Sequence, residues 1–416
     1  MSHLPKEPVG RLAVVLMGQS PPSSACSREG PGIPFIQGNA EFGTRHPTPA
    51  LLCSAPTRVA QTGDILLSVR APVGEVNEAD QVMVIGRGLS AIRFDDADRP
   101  FAWHAIRWSS KELDRVAQGS TFVAVSRKDV ECLRIPWAPS PQRPLIASIL
   151  DLIDAAIENA TTATSKLRNL RAGVLQNLLT RGLDDNGQLR EPDVNPQQFK
   201  DSQLGPSPES WEVTSLGWFL RGTDYGISSA LDTDGTVPVL RMNNLAEGEA
   251  ELSEIKYATC TVPSALMLNE GDVLFNRTNS YEHVGRTGIW RRQLPQASFA
   301  SYLVRLNPVP GRLTNEFLNL LMNLPDSQRR MRRYATPAVQ QVNINPTSLR
   351  QMIVAVPKDV QEQARIVETA AEVSARLRAE CHNLKKLQQL RQGLSSDLLS
   401  GRVCVVECRA SSEVHA

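Results

Sequence analysis

Neither charge sign is in excess: 45 basic residues stand against 44 acidic ones over 416 residues. A surface for a polyanion would have to be local, and net charge carries no signal for one. The seven cysteines (Cys26, Cys53, Cys132, Cys260, Cys381, Cys404 and Cys408) are odd in number and scattered, without a CxxC pair. That excludes a disulfide framework and predicts reduced thiols in the cytosol. Cys404 and Cys408 are four apart, but no second ligand pair follows, so no metal site is expected. No apolar run reaches membrane-span length, and the start of the chain lacks a signal-peptide core. A soluble, cytoplasmic protein is expected.

Catalytic motifs are missing as well. There is no GxxxxGKS/T loop to cradle phosphates and no HExxH pair for zinc. Asn307-Pro308-Val309-Pro310 lacks the stacking aromatic of the Asn-Pro-Pro-aromatic tetrapeptide used by amino-methyltransferases. Gly86–Ala91 fits the letters of a dinucleotide fingerprint, yet the LSAIRF that follows reads as strand where that motif demands a helix. The six histidines form no ligand spacing. His46 and His283 sit in polar loops, where a DNA contact and ordinary exposure both fit.

What is present is a duplication. Pro144–Gly182 and Arg365–Arg402 are related at a constant offset of 220 residues. Ile146 matches Ile366, Leu167 Leu387, Leu170 Leu390, Arg171 Arg391, Gly173 Gly393, and Leu178-Leu179 Leu398-Leu399. From Lys166 to Leu179, seven of fourteen positions are identical. An internal repeat explains this better than two unrelated amphipathic helices. In the first copy Ile146, Ile153, Ala160, Leu167 and Val174 fall at heptad steps. Leu150, Ile157 and Leu178 form a second series, broken by Thr164 and Arg171. The second copy keeps Ile366, Val373, Leu387 and Leu394, with Leu377, Leu384 and Leu398 alongside, and is broken by Glu380 and Arg391. Such a seam predicts two long coiled-coil helices, each roughly 50–55 Å long. Pro144 marks the first start, and Asp359 with Glu362 forms a possible capping pair at the second. A glycine inside a helix costs about 1 kcal/mol, so its recurrence suggests a close helix–helix approach.

Around these helices lie two globules, giving six segments: 1–143, helix 144–182, a polar connector 183–210, 211–357, helix 358–403, and a tail 404–416. The second globule echoes the first in order: GIPFIQGNA by GTVPVLRMNNL, GDILLSVRAPVG by GDVLFNRTNSYEHVG. Strands are expected at Ile65–Val69, Gln81–Ile85 and Ala91–Phe94, a helix within Phe101–Gln118, a polar stretch up to Asp129, and a closing strand at Cys132–Pro136. The fold class is α+β: two α/β globules, each followed by a long helix. An antiparallel packing of the helices would give pseudo-twofold symmetry.

Both globules carry loops with side chains that suit base edges, arginine for guanine, asparagine and glutamine for adenine. The first offers Gln19, Ser20, Gln37, Asn39, Arg70, Arg87, Ser120, Arg127 and Lys128. The second offers Arg241, Asn243, Asn244, Arg277, Asn279, Ser280, Gln340, Gln341 and Asn343, with Arg330 and Arg333 in a basic patch suited to phosphates. Any one of these alone is ordinarily a solvated loop. Matched positions in two repeats tilt the set toward double-stranded DNA.

These stretches resemble the specificity subunit of type I restriction-modification enzymes along nearly the whole chain. The helix ends KLRNLRAGVLQNLLTRG and LKKLQQLRQGLSSDLLSG, the helix start IASILDLIDAAI, and MGQSPPSS, GIPFIQGNAEFG, GDILLSVRAPVGEVN, IGRGLSAI and GDVLFNRTNS carry the likeness. The resemblance implies two target-recognition domains reading the halves of a bipartite, asymmetric DNA site. It implies an antiparallel helical spacer that docks two methyltransferase (modification) subunits, joined by restriction (motor-nuclease) subunits. Methyl transfer from S-adenosylmethionine and ATP-driven cleavage would belong to those partners, leaving this chain non-catalytic and without a cofactor of its own. The second helix has Thr369 and Ala370 where the first has Ile149 and Leu150, so the two helices would differ in partner binding. A paired-domain scaffold that binds proteins without reading bases stays open, as does an enzyme with an unfamiliar site.

Overall fold

A computed structural model describes residues 4–113, 124–338 and 341–405. The chain is a mixed helix-and-sheet fold in two compact units. One takes the chain up to Thr162 together with the chain from His382 onward; the other is Ala163–Cys381.

Each unit is built on a Gly-Asp turn and the strand behind it. Gly63 and Gly271 hold φ of +85° and +88°, a left-handed backbone that a Cβ would strain. The adjoining aspartates close the turns: Gln61 N donates to Asp64 Oδ2 at 2.8 Å, and Asn269 N to Asp272 Oδ2 at 2.9 Å. Asp64 then pairs with Arg93 at 2.7 Å and Asp272 with Arg305 at 3.0 Å, tying each turn to its sheet. The strands that follow, Ile65–Ser68 and Val273–Asn276, are buried at every position, as short continuous apolar runs should be.

The strand order is the same in both units. In the first, Val14–Met17, Leu89–Arg93, Ile65–Ser68 and Val76–Glu78 lie side by side. In the second the order is Leu220–Tyr225, Leu303–Pro308, Val273–Asn276 and Thr287–Ile289, extended by Glu249–Ala250 and Leu245–Ala246. A second sheet in each unit contains one parallel pair, Phe35 beside Val84 and Val239 beside Ser298.

The long helices are Arg143–Arg181 and Val360–Ser400. In the first unit Ile146, Ala147 and Leu150 share a core with Leu398 and Leu399, while Arg391 Nε reaches Asp154 Oδ1 at 3.0 Å. In the second unit Leu178 and Leu179 share a core with Ile366 and Ala370, while Arg171 Nε reaches Ser374 Oγ at 2.9 Å. Within each unit the two helical stretches therefore run in opposite directions. Arg171 and Arg391, which break the apolar series, make equivalent bonds across the helix pair.

The repeated glycines have a different basis from the one their recurrence suggests. A Cβ on Gly173 or Gly393 would meet nothing within 4 Å, so no close approach occurs at either. Leu170 and Leu390, nearly one turn earlier, are 55% and 52% exposed. Gly173→Ala and Gly393→Ala should each stabilise the isolated chain by about 0.5–1 kcal/mol in chemical denaturation. No gain would restore a packing role for these glycines.

The connector and the second globule meet at a buried acid. Glu362, 3% exposed, accepts from Trp211 Nε1 at 2.9 Å and Leu183 N at 3.2 Å, and pairs with Arg190 at 2.6 Å. Asp359 caps the helix start by accepting from Gln361 N at 2.9 Å and Glu362 N at 3.1 Å. The Glu362 carboxylate thus spans the junction instead of completing a capping box.

Candidate nucleic-acid interface

In the first unit two turns rich in glycine bring the polar loops together. A Cβ on Gly18 would lie 2.1 Å from Gly86 O, so only glycine lets the loops meet here. Gln37 Nε2 donates to Ser20 Oγ at 2.8 Å, and Arg87 N reaches the same oxygen at 3.3 Å. Gln19 is exposed, and its carbonyl accepts from Thr57 Oγ1 at 2.6 Å. Gln19, Ser20, Gln37 and Arg87 therefore form one cluster. Asn39 follows in the turn Asn39–Glu41. Arg70 is exposed beside Val69, whose N–H donates to Gly88 O at 2.9 Å and whose carbonyl accepts from Val125 N at 2.9 Å.

Ser126–Lys128 was expected as a polar loop and is instead the start of a helix, Arg127–Cys132. Ser126 and Asp129 close a capping box. Bonds from the Ser126 hydroxyl and backbone hold the Asp129 carboxyl below its ordinary range. Arg127 is drawn to Glu131 at 2.7 Å, one helical turn on, whereas Lys128 is exposed. Cys132, expected in the closing strand, ends this helix, and the strand is Arg134–Pro136. Ser120 lies outside the described residues.

In the second unit Arg277, Asn279, Ser280, Gln341 and Asn343 come together on a small sheet. Thr278 pairs with Asn343 and Asn279 with Val342, while Thr278 Oγ1 donates to Asn343 Oδ1 at 3.0 Å. Arg277 lies with its guanidinium 5.1 Å from the Tyr225 ring, and its Nε is buried without a partner among the described residues. Beside it, Arg305 binds Asp224 at 2.8 Å and Asp272 at 3.0 Å, which fixes the strand that carries Tyr225. Burial pushes the Asp224 carboxyl upward, but the bonds from Arg305 and Asn307 outweigh it and leave it below the ordinary range. Gln340 lies outside the described residues.

The loop Arg241–Asn244 divides by role. Asn244 is fully buried; its Oδ1 accepts from Arg241 N at 2.9 Å and its Nδ2 donates to Ser253 O at 2.6 Å. Both ends of the amide are used within the loop, so Asn244 shapes it and presents nothing outward. The Arg241 guanidinium is likewise turned to Glu254 O. Asn243 is the exposed member. Arg330 and Arg333 stand elsewhere, at a pocket beside the end of the first long helix and the connector.

Three tyrosines escaped the sequence reading. Tyr225, Tyr281 and Tyr302 are 46%, 60% and 49% exposed. Arg277 N bonds Tyr302 O at 3.0 Å, and Arg332 lies 5.9 Å from the Tyr281 ring. Exposed aromatics beside arginines orient them through cation–π attraction. The available signal was an aromatic next to a polar turn, as in Asp224-Tyr225-Gly226 and Asn279-Ser280-Tyr281.

Comparison with known proteins bears on this arrangement. The family profile described as "Type I restriction modification DNA specificity domain" matches residues 9–167. The MjaX specificity subunit of Methanocaldococcus jannaschii is 38% identical over 168 residues, 40% of each chain. This chain is a relative of the type I restriction-modification specificity subunits. The EcoBI specificity subunit of Escherichia coli is 20% identical over 295 residues, 68% of this chain and 60% of that one. Each of these alignments spans less than two thirds of the curated relative's length. The fold extends further: the crystal structure of the type I system S subunit from M. genitalium superposes with a TM-score of 0.61 at 16% identity, covering 95% of this chain and 96% of that one. Among the described residues of this specificity-subunit relative, no helix is long and apolar enough to cross a membrane.

Proposed function

We propose that this chain is the non-catalytic DNA-reading subunit of a type I restriction-modification complex, acting in the cytoplasm. One observation supports this most. Both units use the same backbone frame to present different side chains. Val69 N bonds Gly88 O and Val125 N bonds Val69 O; Arg277 N bonds Tyr302 O and Ile344 N bonds Arg277 O in the same manner. A shared frame with unlike side chains suits two unlike half-sites.

In this reading the first unit contacts DNA through Gln19, Ser20, Gln37, Asn39, Arg70 and Arg87, with Lys128 on a phosphate. The second uses Asn243, Arg277, Asn279, Ser280, Gln341 and Asn343. The two long helices pack as an antiparallel coiled-coil spacer with pseudo-twofold symmetry and set the distance between half-sites. Leu170 and Leu390, exposed at equivalent places beside open glycines, supply matching apolar contacts for two methyltransferase subunits, and the motor-nuclease subunits join that assembly.

Arg277→Ala provides the test. A bidentate arginine–guanine contact discriminates by about 1–3 kcal/mol, roughly 5- to 150-fold. The variant, assembled with its methyltransferase subunits, should lose that discrimination in one half-site only, read by binding to duplexes altered one half at a time. Equal loss at both halves would indicate damage to the fold. A wild-type complex with no sequence preference would leave only a protein-binding scaffold.

A further inference from the structure

The second unit holds two arginines that the reading loops do not use. Helix Pro325–Arg332 and the residue after it border a pocket of about 430 Å³, walled by the end of the first long helix and by the connector turn Gln203–Ser207. Leu179, Leu204 and Leu321 give it an apolar side; Arg329, Arg330, Arg333 and Ser207, with the single carboxylate of Asp326, give it a polar one. Of the three arginines lining it, only Arg329 has an ion-pair partner among the described residues, Asp326, which also accepts from Gln176 Nε2 at 3.2 Å. Arg330 spends two nitrogens on neutral groups, Ile353 O at 3.1 Å and Ser327 Oγ at 3.3 Å, and its Nε is buried with no partner among the described residues. Ser207 is 2% exposed, and its Oγ is buried with no partner among the described residues.

A half-buried guanidinium is costly when the one carboxylate near it is already paired with another arginine. Burial pushes Arg330 below its ordinary pKa despite the nearby Asp326 carboxylate, and Arg333 pushes it the same way. The fork of donors on an arginine fits the oxygens of a phosphate, and a serine hydroxyl adds one more. The volume exceeds what a bare phosphate fills, and the leucines suit an apolar body.

We propose that this pocket binds a phosphate monoester of about the size of a mononucleotide, its phosphate held by Arg330, Arg333 and the Ser207 hydroxyl and its body against Leu179, Leu204 and Leu321. The same oxyanion chemistry could come from a free ligand or from a phosphate of bound DNA, and the two sources are separable.

The test is titration calorimetry of the full chain with adenosine monophosphate and with inorganic phosphate, at constant ionic strength. Saturable binding of the monophosphate at one site is expected, with inorganic phosphate competing. Arg330→Gln and Arg333→Gln should each weaken it by about tenfold or more, and Ser207→Ala by a smaller factor. Arg28→Gln, an exposed charge in the other unit, should leave it unchanged. Arg333 is exposed, so its variant remains informative even where Arg330→Gln loses stability. If duplex DNA displaces the monophosphate competitively, the phosphate comes from DNA; if both bind together, the ligand is a free metabolite. Absence of binding, or equal weakening by Arg28→Gln and Arg333→Gln, would overturn the proposal.

Discussion

Glu362→Ala should cost the chain about 3–5 kcal/mol, the range for removing one partner of a buried ion pair. Arg190, whose side chain is only 11% exposed, would keep its charge without a carboxylate, and Trp211 Nε1 and Leu183 N would lose their acceptor. Urea denaturation would read the loss. The double substitution of Glu362 and Arg190 by methionine should recover part of it, because it buries no unpaired charge. A loss under about 1 kcal/mol would mean that water reaches the site and that the junction is held by apolar packing alone. The effect should be local to assembly of the second unit, because the four groups come from the connector, the strand Trp211–Ser215 and the start of the second long helix.

On the proposed spacer role, adding one heptad to both long helices should change which DNA is modified. Inserted between Thr162 and Ala163 and between Cys381 and His382, where the two units divide, seven residues lengthen each helix by about 10.5 Å. They also keep the apolar seam close to phase. At 3.4 Å per base pair, the unread gap should grow by about three base pairs while both half-sites keep their sequence. Sequencing of methylated bases in cells carrying the variant with its partners would report the new site. An unchanged gap would remove the ruler from the proposal, while leaving the readers in place.

These two outcomes depend on features of different legibility. The heptad series and the 220-residue offset are visible in the chain because helical periodicity and duplication are local regularities. The Gly-Asp turns are visible for the same reason: a left-handed φ at Gly63 and Gly271 demands glycine whatever surrounds it. The acid at Glu362 was legible only as a possible helix cap. Its actual partners, Trp211 and Arg190, lie 151 and 172 residues away in sequence. No spacing rule reaches that far.

The polar loops show the same boundary. Residue types suited to base edges single out particular loops, yet type cannot say whether an amide faces out or in. Asn243 and Asn244 are neighbours of one kind; one is exposed, while the other is buried and spent on its own loop. Arg277 and Arg330 are likewise both arginines in polar surroundings, but one lies over an exposed tyrosine and the other borders a pocket.

By itself, then, the sequence determined that this protein is two related halves, each a glycine-punctuated sheet unit with a long amphipathic helix, since propensity and periodicity act over a few residues. Only the tertiary structure decided that Gly173 and Gly393 face open space, that Asn244 is structural, and that Arg330 Nε is buried without a partner among the described residues. Burial and charge pairing depend on which distant groups become neighbours, and that is settled when the chain closes on itself.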